Sequence, residues 1–366
     1  MQNRNVKSLR RFTICLGLLV VLGIHRSQAS YTSFYAFGDG ACTTTNNPFA
    51  GPAYYGQRFC NGRVWVEVLA QRQNVPFPTN HNWSFFGHSS QNLTNNVNSF
   101  VAPVDASNAL VAVWVADADI VNNLNNLSFG PPYDASKLAI WTNSLNQTAT
   151  NHVHAIQTLY NKGIRTLVMP NAVDLTKVPV YSDLSAPNKT FVRQRTIEFN
   201  NLFSIIISNA IAANPGLQIV QPDIFALLDN IYANPTNFGL IVRPLTSTDT
   251  ALDQGFTVLN GPGAQFMFWD DLHPTAKFQM YIAEAAQQLL SPARIASIFS
   301  VSSSNQLDLA NVPVGRNGVV ESSTNLINWT TAATITSTNT TQSSLVNAPG
   351  DVGFHRLRFP FLWTWP

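Results

Sequence analysis

Four short, almost unbroken apolar runs mark the first two thirds of the chain: Ser33–Phe37, Leu110–Val115, Thr166–Met169 and Leu217–Val220. Runs of this length and continuity suit strands covered on both faces. Between them the spacing turns helical over Val64–Gln71, about 135–162, Phe191–Ala213 and Ala276–Leu290. In the last stretch Phe278, Ile282, Ala285 and Leu289 share one face, and Pro274 just ahead suits a helix start. Strands and helices alternating in this way predict an α/β fold, a mostly parallel sheet with helices on both sides. Ligands of such sheets sit beyond the carboxyl ends of the strands, where Gly38-Asp39-Gly40 emerges.

After Phe299 the pattern changes. The chain becomes rich in Ser, Thr and Asn, with short β-branched runs at Val319–Ser323, Trp329–Thr331 and Phe354–Phe359. These predict a small all-β domain over 300–366, a sandwich or part of one, docked on a larger domain over 30–299. The N-terminus differs again: Arg4, Lys7, Arg10 and Arg11 precede an apolar run from Phe12 to Ile24, and Ser27-Gln28-Ala29 supplies small residues at the cleavage-determining positions. Residues 1–29 therefore read as a secretory signal peptide, which predicts a secreted protein in periplasm, envelope or medium. The run is too short to span a bilayer, so no membrane span is expected.

Charge then narrows the partners. The chain has 21 Lys+Arg against 19 Asp+Glu, but five of the basic residues lie in the leader, leaving 16 against 19. A domain so near neutrality has no electrostatic footprint for nucleic acid. Cys15 leaves with the leader; Cys42 and Cys60 remain as a disulfide candidate in an oxidising compartment, with two unpaired buried thiols as the alternative.

The candidate chemistry lies in Asp270-Asp271-Leu272-His273-Pro274-Thr275, which sets a carboxylate three positions before a histidine. This block, together with Phe37-Gly38-Asp39-Gly40 and the segment Tyr54–Glu67, resembles the GDSL lipolytic family, the SGNH hydrolases, in the order that family shows from Tyr31 to about Leu290. The resemblance implies a flavodoxin-like three-layer sandwich and hydrolysis of carboxylic esters by Ser, Asp and His, with no cofactor or metal and with a small-molecule ester or acylated carbohydrate as partner. Carried over by position, it makes His273 the general base and Asp270 the group that orients it. Gly87, or its neighbour His88, becomes the backbone oxyanion donor.

Two roles fall on residues that cannot fill them. The nucleophile position is Gly40, and the family's oxyanion asparagine is Ala118, within Ala116-Asp117-Ala118-Asp119. Losing the serine of a triad costs roughly six orders of magnitude in turnover, and losing one side-chain oxyanion donor costs about 2.7 to 4 kcal/mol. A substitute hydroxyl would have to come from Thr43, Thr44, Ser89 or Ser90, the nearest in sequence. A further route lets His273 activate a water in the room left at Gly40.

Other residues have plainer readings. Asp39 can serve a turn, and Asp270 and His273 can cap the last helix. Asp117 and Asp119 read as part of a loop past a strand end, and His152 and His154 read as surface residues that point apart rather than a metal pair. Three function classes stay open: a residual ester hydrolase, a non-catalytic ester- or carbohydrate-binding relative, and a surface adhesive or structural protein whose small domain contacts polysaccharide or protein.

Overall fold

The computed structural model describes residues 31–242, 249–347 and 353–366; the expected signal peptide lies outside them. Four parallel strands form the central sheet: β1 (Ser33–Gly38), β2 (Ala109–Trp114), β3 (Thr166–Val168) and β4 (Gln218–Val220), hydrogen-bonded in that order. All six residues of β2 are buried, which is why its sequence carries no polar alternation. Outside β1 runs Asn82–Phe85, where Trp83 N–H donates to the Ala36 carbonyl at 2.7 Å and Phe85 N–H to that of Gly38 at 3.2 Å. This rudimentary edge strand completes the flavodoxin-like order, in which the second segment of the chain lies outermost.

Among the described residues the α-helices are α1 (Trp65–Arg72), α2 (Ser90–Ser99), α3 (Ala116–Asn125), α4 (Ala135–Asn161), α5 (Ala186–Ala213), α6 (Ile224–Ala233), α7 (Pro235–Phe238) and α8 (Ala276–Leu290). Helix α1 packs on α8, whereas α2, α4 and α5 form a second group. Three of the starts have a local cause. Asp134 accepts from Ser136 N–H at 2.9 Å ahead of α4, and Asp223 accepts from Ala226 N–H at 2.9 Å ahead of α6. Helix α5 begins five residues before its expected start, because Pro187 sits in its first turn, where a missing N–H costs nothing. Asp117 and Asp119 lie in the first turn of α3 rather than in a loop.

The C-terminal part holds two three-stranded antiparallel sheets. One has the order β5-β6-β9, from β5 (Arg294–Val301), β6 (Ser304–Ala310) and β9 (Thr341–Asn347). The other has the order β10-β7-β8, from β7 (Asn317–Ser323), β8 (Thr330–Thr336) and β10 (Phe354–Arg358). They share a small core of Leu307, Leu309, Val312, Val320, Ile335 and Val346. The β region thus starts at Arg294, ahead of the boundary expected near 300. The serine-rich stretch is a tight hairpin, with Val301 opposite Ser304 and Ser302 at φ 54°.

This part is fastened to the first by charge and aromatic contact. Glu284 of α8 pairs with Arg316 and, at 3.1 Å, with the buried Arg72 of α1. The C-terminal segment crosses back over the helices. Phe361 stacks on Tyr281 with ring centroids 3.8 Å apart, and the Trp365 indole donates to the Asn61 carbonyl at 2.7 Å. Asn61 in turn accepts the Ala276 N–H at 2.8 Å, so the tail braces the start of α8.

Candidate active site

Between β4 and α8 the chain returns to the sheet's carboxyl end in a turn held by one carboxylate. Asp270 Oδ1 accepts the backbone N–H of Leu272 at 3.0 Å and of His273 at 2.6 Å. Asp270 therefore shapes this turn and does not cap α8. The same carboxylate holds His273 Nδ1 at 2.9 and 3.1 Å, and the Tyr54 hydroxyl donates to Oδ2 at 3.1 Å. Phe59 stacks flat on the imidazole, with ring centroids 4.3 Å apart. Partners on two segments, 54–59 and 270–273, thus leave the ring little freedom.

The electrostatics follow from this clamp. Burial alone would raise the Asp270 carboxyl, but the charge and hydrogen bonds of His273 outweigh it and hold the group below the usual carboxylate value. Burial likewise pulls the imidazole down, yet Asp270, then Asp39 and Asp271, raise it above its ordinary value. Asp39 is pushed up to about 6 by burial, against the Ala41 N–H that it accepts at 2.9 Å and the nearby His273. It serves the turn after β1 and also faces the site.

His273 is one wall of a cavity of about 400 Å³ that also meets Asp39, Gly40, Gly87, Asp117 and Ala118. A Cβ built on Gly40 would lie 2.5 Å from His273 Nε2, closer than two such atoms ever approach. The place that a serine Cβ would take is therefore occupied by the imidazole itself, while Gly40 and His273 both border the cavity. Among the described residues no hydroxyl bonds to Nε2. Thr43 accepts from Thr45 N–H, Thr44 from Asn82, Ser89 bonds Asn92 at the start of α2, and Ser90 donates to Asp119 at 3.0 Å. The four substitute hydroxyls are committed elsewhere.

The backbone side is better preserved. His88 N–H is spent on the Phe85 carbonyl at 3.2 Å, which leaves Gly87 as the donor of the two. Gly87 has φ +74° and open space where a Cβ would stand. Among the described residues the amides of Gly40 and Gly87 have no hydrogen-bond acceptor. Two peptide N–H groups therefore remain free on residues that wall the cavity, while Ala118 adds only a methyl group.

The model of the GDSL-like lipase/acylhydrolase family matches residues 34–286. This chain belongs to the GDSL family. It is 21% identical over 302 residues to an acetylesterase of Thermothelomyces thermophilus, covering 76% of this chain and 90% of that protein. It is 27% identical over 340 residues to a GDSL esterase/lipase of Arabidopsis thaliana, covering 75% and 94%. Among solved structures, an extracellular lipase from Streptomyces rimosus aligns with a TM-score of 0.42 and 11% identity, over 70% of this chain and 99% of that one.

Several GDSL-site surroundings differ from expectation. Cys42 and Cys60 are both free and buried. Each thiol has its own partner, Cys42 Sγ accepting the Trp65 indole N–H at 3.2 Å and Cys60 Sγ lying 3.7 Å from Asn61 Oδ1, so no bridge forms. His152 is not on the surface; it packs against Phe203 and bonds the Thr148 carbonyl at 2.8 Å, whereas His154 is exposed. Asn82, the start of an Asn-x-Ser triplet, spends its amide on Cys42 O and Thr44 inside the protein.

The sequence reading missed the clamp residues Tyr54 and Phe59, which reach the site from more than 200 positions away and leave no local signal. It also missed the apolar cavity wall from Val173, Leu175, Val178, Ile224 and Leu228. For α6 a signal existed: Asp223 ahead of the run Ile224–Leu228 has the form of an N-cap before an apolar helix.

Proposed function

We propose that this GDSL-family protein binds carboxylic esters in the His273 cavity and does not cleave them by the serine route. One observation carries the reading: the imidazole occupies the place of the missing side chain at Gly40, with Nε2 2.5 Å from where a Cβ would be. A base that has closed onto the nucleophile position has no alcohol to deprotonate. What remains suits recognition, since an apolar wall from α6, α8 and the segment after β3 leads to free amides at Gly40 and Gly87. Such a pocket takes an acyl chain at its greasy end and a carbonyl oxygen at its polar end. The proposal includes export through residues 1–29 and an uncharged or acylated small molecule as ligand.

A second reading is favoured by the intact Asp270–His273 pair beside those amides: slow hydrolysis by a water that reaches Nε2 from the cavity side. Calorimetric binding and turnover of short-chain aryl esters, measured side by side, separate the two. Saturable binding with turnover no faster than in His273→Ala supports the binding protein. Turnover that vanishes in His273→Ala supports water activation and overturns the reading of the protein as a binding protein alone.

A further inference from the structure

Asp117 stands immediately before Ala118, in the first turn of α3, and its side chain reaches the same cavity as Gly40, Gly87 and His273. One carboxyl oxygen is fixed, since Oδ1 accepts the Val173 N–H at 2.8 Å. Among the described residues the Asp117 carboxyl has this one hydrogen bond, so Oδ2 is left to the cavity space that the half-buried residue lines. Among the described residues that line this cavity there is neither Lys nor Arg, and the imidazole of His273 is already paired with Asp270.

We propose that Asp117, as a neutral carboxylic acid, donates a hydrogen bond from Oδ2 to the carbonyl oxygen of the bound ester and so takes over recognition from the asparagine that Ala118 replaces. This rests on the reading of the cavity as an ester site. The proton has physical reasons to stay. Burial first, then the charges of Asp39 and Asp119, push the Asp117 carboxyl well above the usual range, against the single Val173 N–H that favours the anion. The other titratable groups around it are Asp271 and His273 on the cavity wall, and Asp174, next to Val173, which is held by Arg193. A buried acid kept protonated in this way becomes a donor, which a carboxylate can never be. Together with the Gly40 and Gly87 amides it gives the pocket a third N–H or O–H donor, and ionised Asp39 and Asp271 make the wall unfavourable for a free fatty acid anion.

The test uses the full chain with 2-octanone, a neutral carbonyl on an alkyl tail, and octane as the control without the carbonyl. Asp117→Asn keeps a donor and the contact to Val173, and is expected to bind the ketone within about threefold of wild type; Asp117→Ala is expected to lose about tenfold, the scale of one buried hydrogen bond. Wild-type affinity should fall as pH rises through the Asp117 titration, and Asp117→Asn should remove that part of the fall. Infrared difference spectra should show a protonated-carboxyl band at neutral pH that is absent in Asp117→Asn. If wild type binds the ketone and Asp117→Ala binds it equally well, or if the band is missing, this inference falls while the ester site stands. If wild type does not prefer the ketone over octane, the ester site falls and takes the inference with it.

Discussion

The two arms of the cavity have fared differently. On one side Asp270 and His273 are tied by bonds from Tyr54, Leu272 and the imidazole, with Phe59 stacked on the ring. On the other side Gly40 and Ala118 offer nothing beyond backbone. The difference lies in what else each residue does. Asp270 holds together a turn and a ring from separate parts of the chain, so its loss would unravel structure. A serine at 40 would serve chemistry alone, and its absence leaves the turn after β1 closed by Asp39 and the Ala41 N–H.

The sharpest way to break this contrast is Asp270→Ala. It would strip the Leu272 and His273 amides, the Tyr54 hydroxyl and the imidazole of their shared acceptor in a site where the carboxylate is only 13% exposed. Removing one partner of such a pair costs about 3 to 5 kcal/mol. Urea unfolding of the purified protein should show a loss of that size. A loss below 1 kcal/mol would mean that the base arm survives for some other reason.

Gly40→Ser probes the opposite arm and should have a smaller effect of the same sign. The new Cβ must displace His273 Nε2, and the ring cannot swing away freely because Nδ1 is held by Asp270 and its face by Phe59. Overpacking of this kind costs about 1 to 3 kcal/mol. Gly40→Ala should destabilise equally, since the clash comes from Cβ. Turnover of aryl esters should stay at background in both. A gain of about a hundredfold or more in the serine variant alone would show that the imidazole yields readily and would overturn the proposal that its position excludes the serine route.

Much of this was legible in the chain before any coordinates. The four apolar runs place β1 to β4 to within a residue or two, because strands buried on both faces have no reason to alternate. The block from Asp270 to His273 is local, so its spacing carries its geometry. The closure of the imidazole onto Gly40 could not be read, since a glycine says that room exists and not what fills it. Nor could the disulfide be decided: Cys42 is occupied by Trp65 through a contact that only the packing of α1 creates. The start of β5 at Arg294 was hidden for a different reason, as a serine-rich hairpin and a serine-rich linker have the same composition.

The smallest effect is in pH, where the two arms pull in opposite directions. His273 is raised above its ordinary 6.5, so its pairing stabilises the fold fully below that value and is lost as pH climbs through the folded one. Asp270 is depressed below 3.8, so its share is present above that value and disappears only in stronger acid. Between these limits the base arm gives a plateau. Asp39 does the reverse: with its carboxyl pushed up to about 6, ionising it in the folded protein opposes stability, increasingly from 3.8 and fully above 6. Asp39→Asn keeps an oxygen for the Ala41 N–H and removes that ionisation. Its melting temperature should match wild type near pH 4 and exceed it at pH 8. A variant that melts lower than wild type at pH 8 would mean that the Asp39 anion is needed to hold the His273 charge. The emptied arm would then still support the kept one.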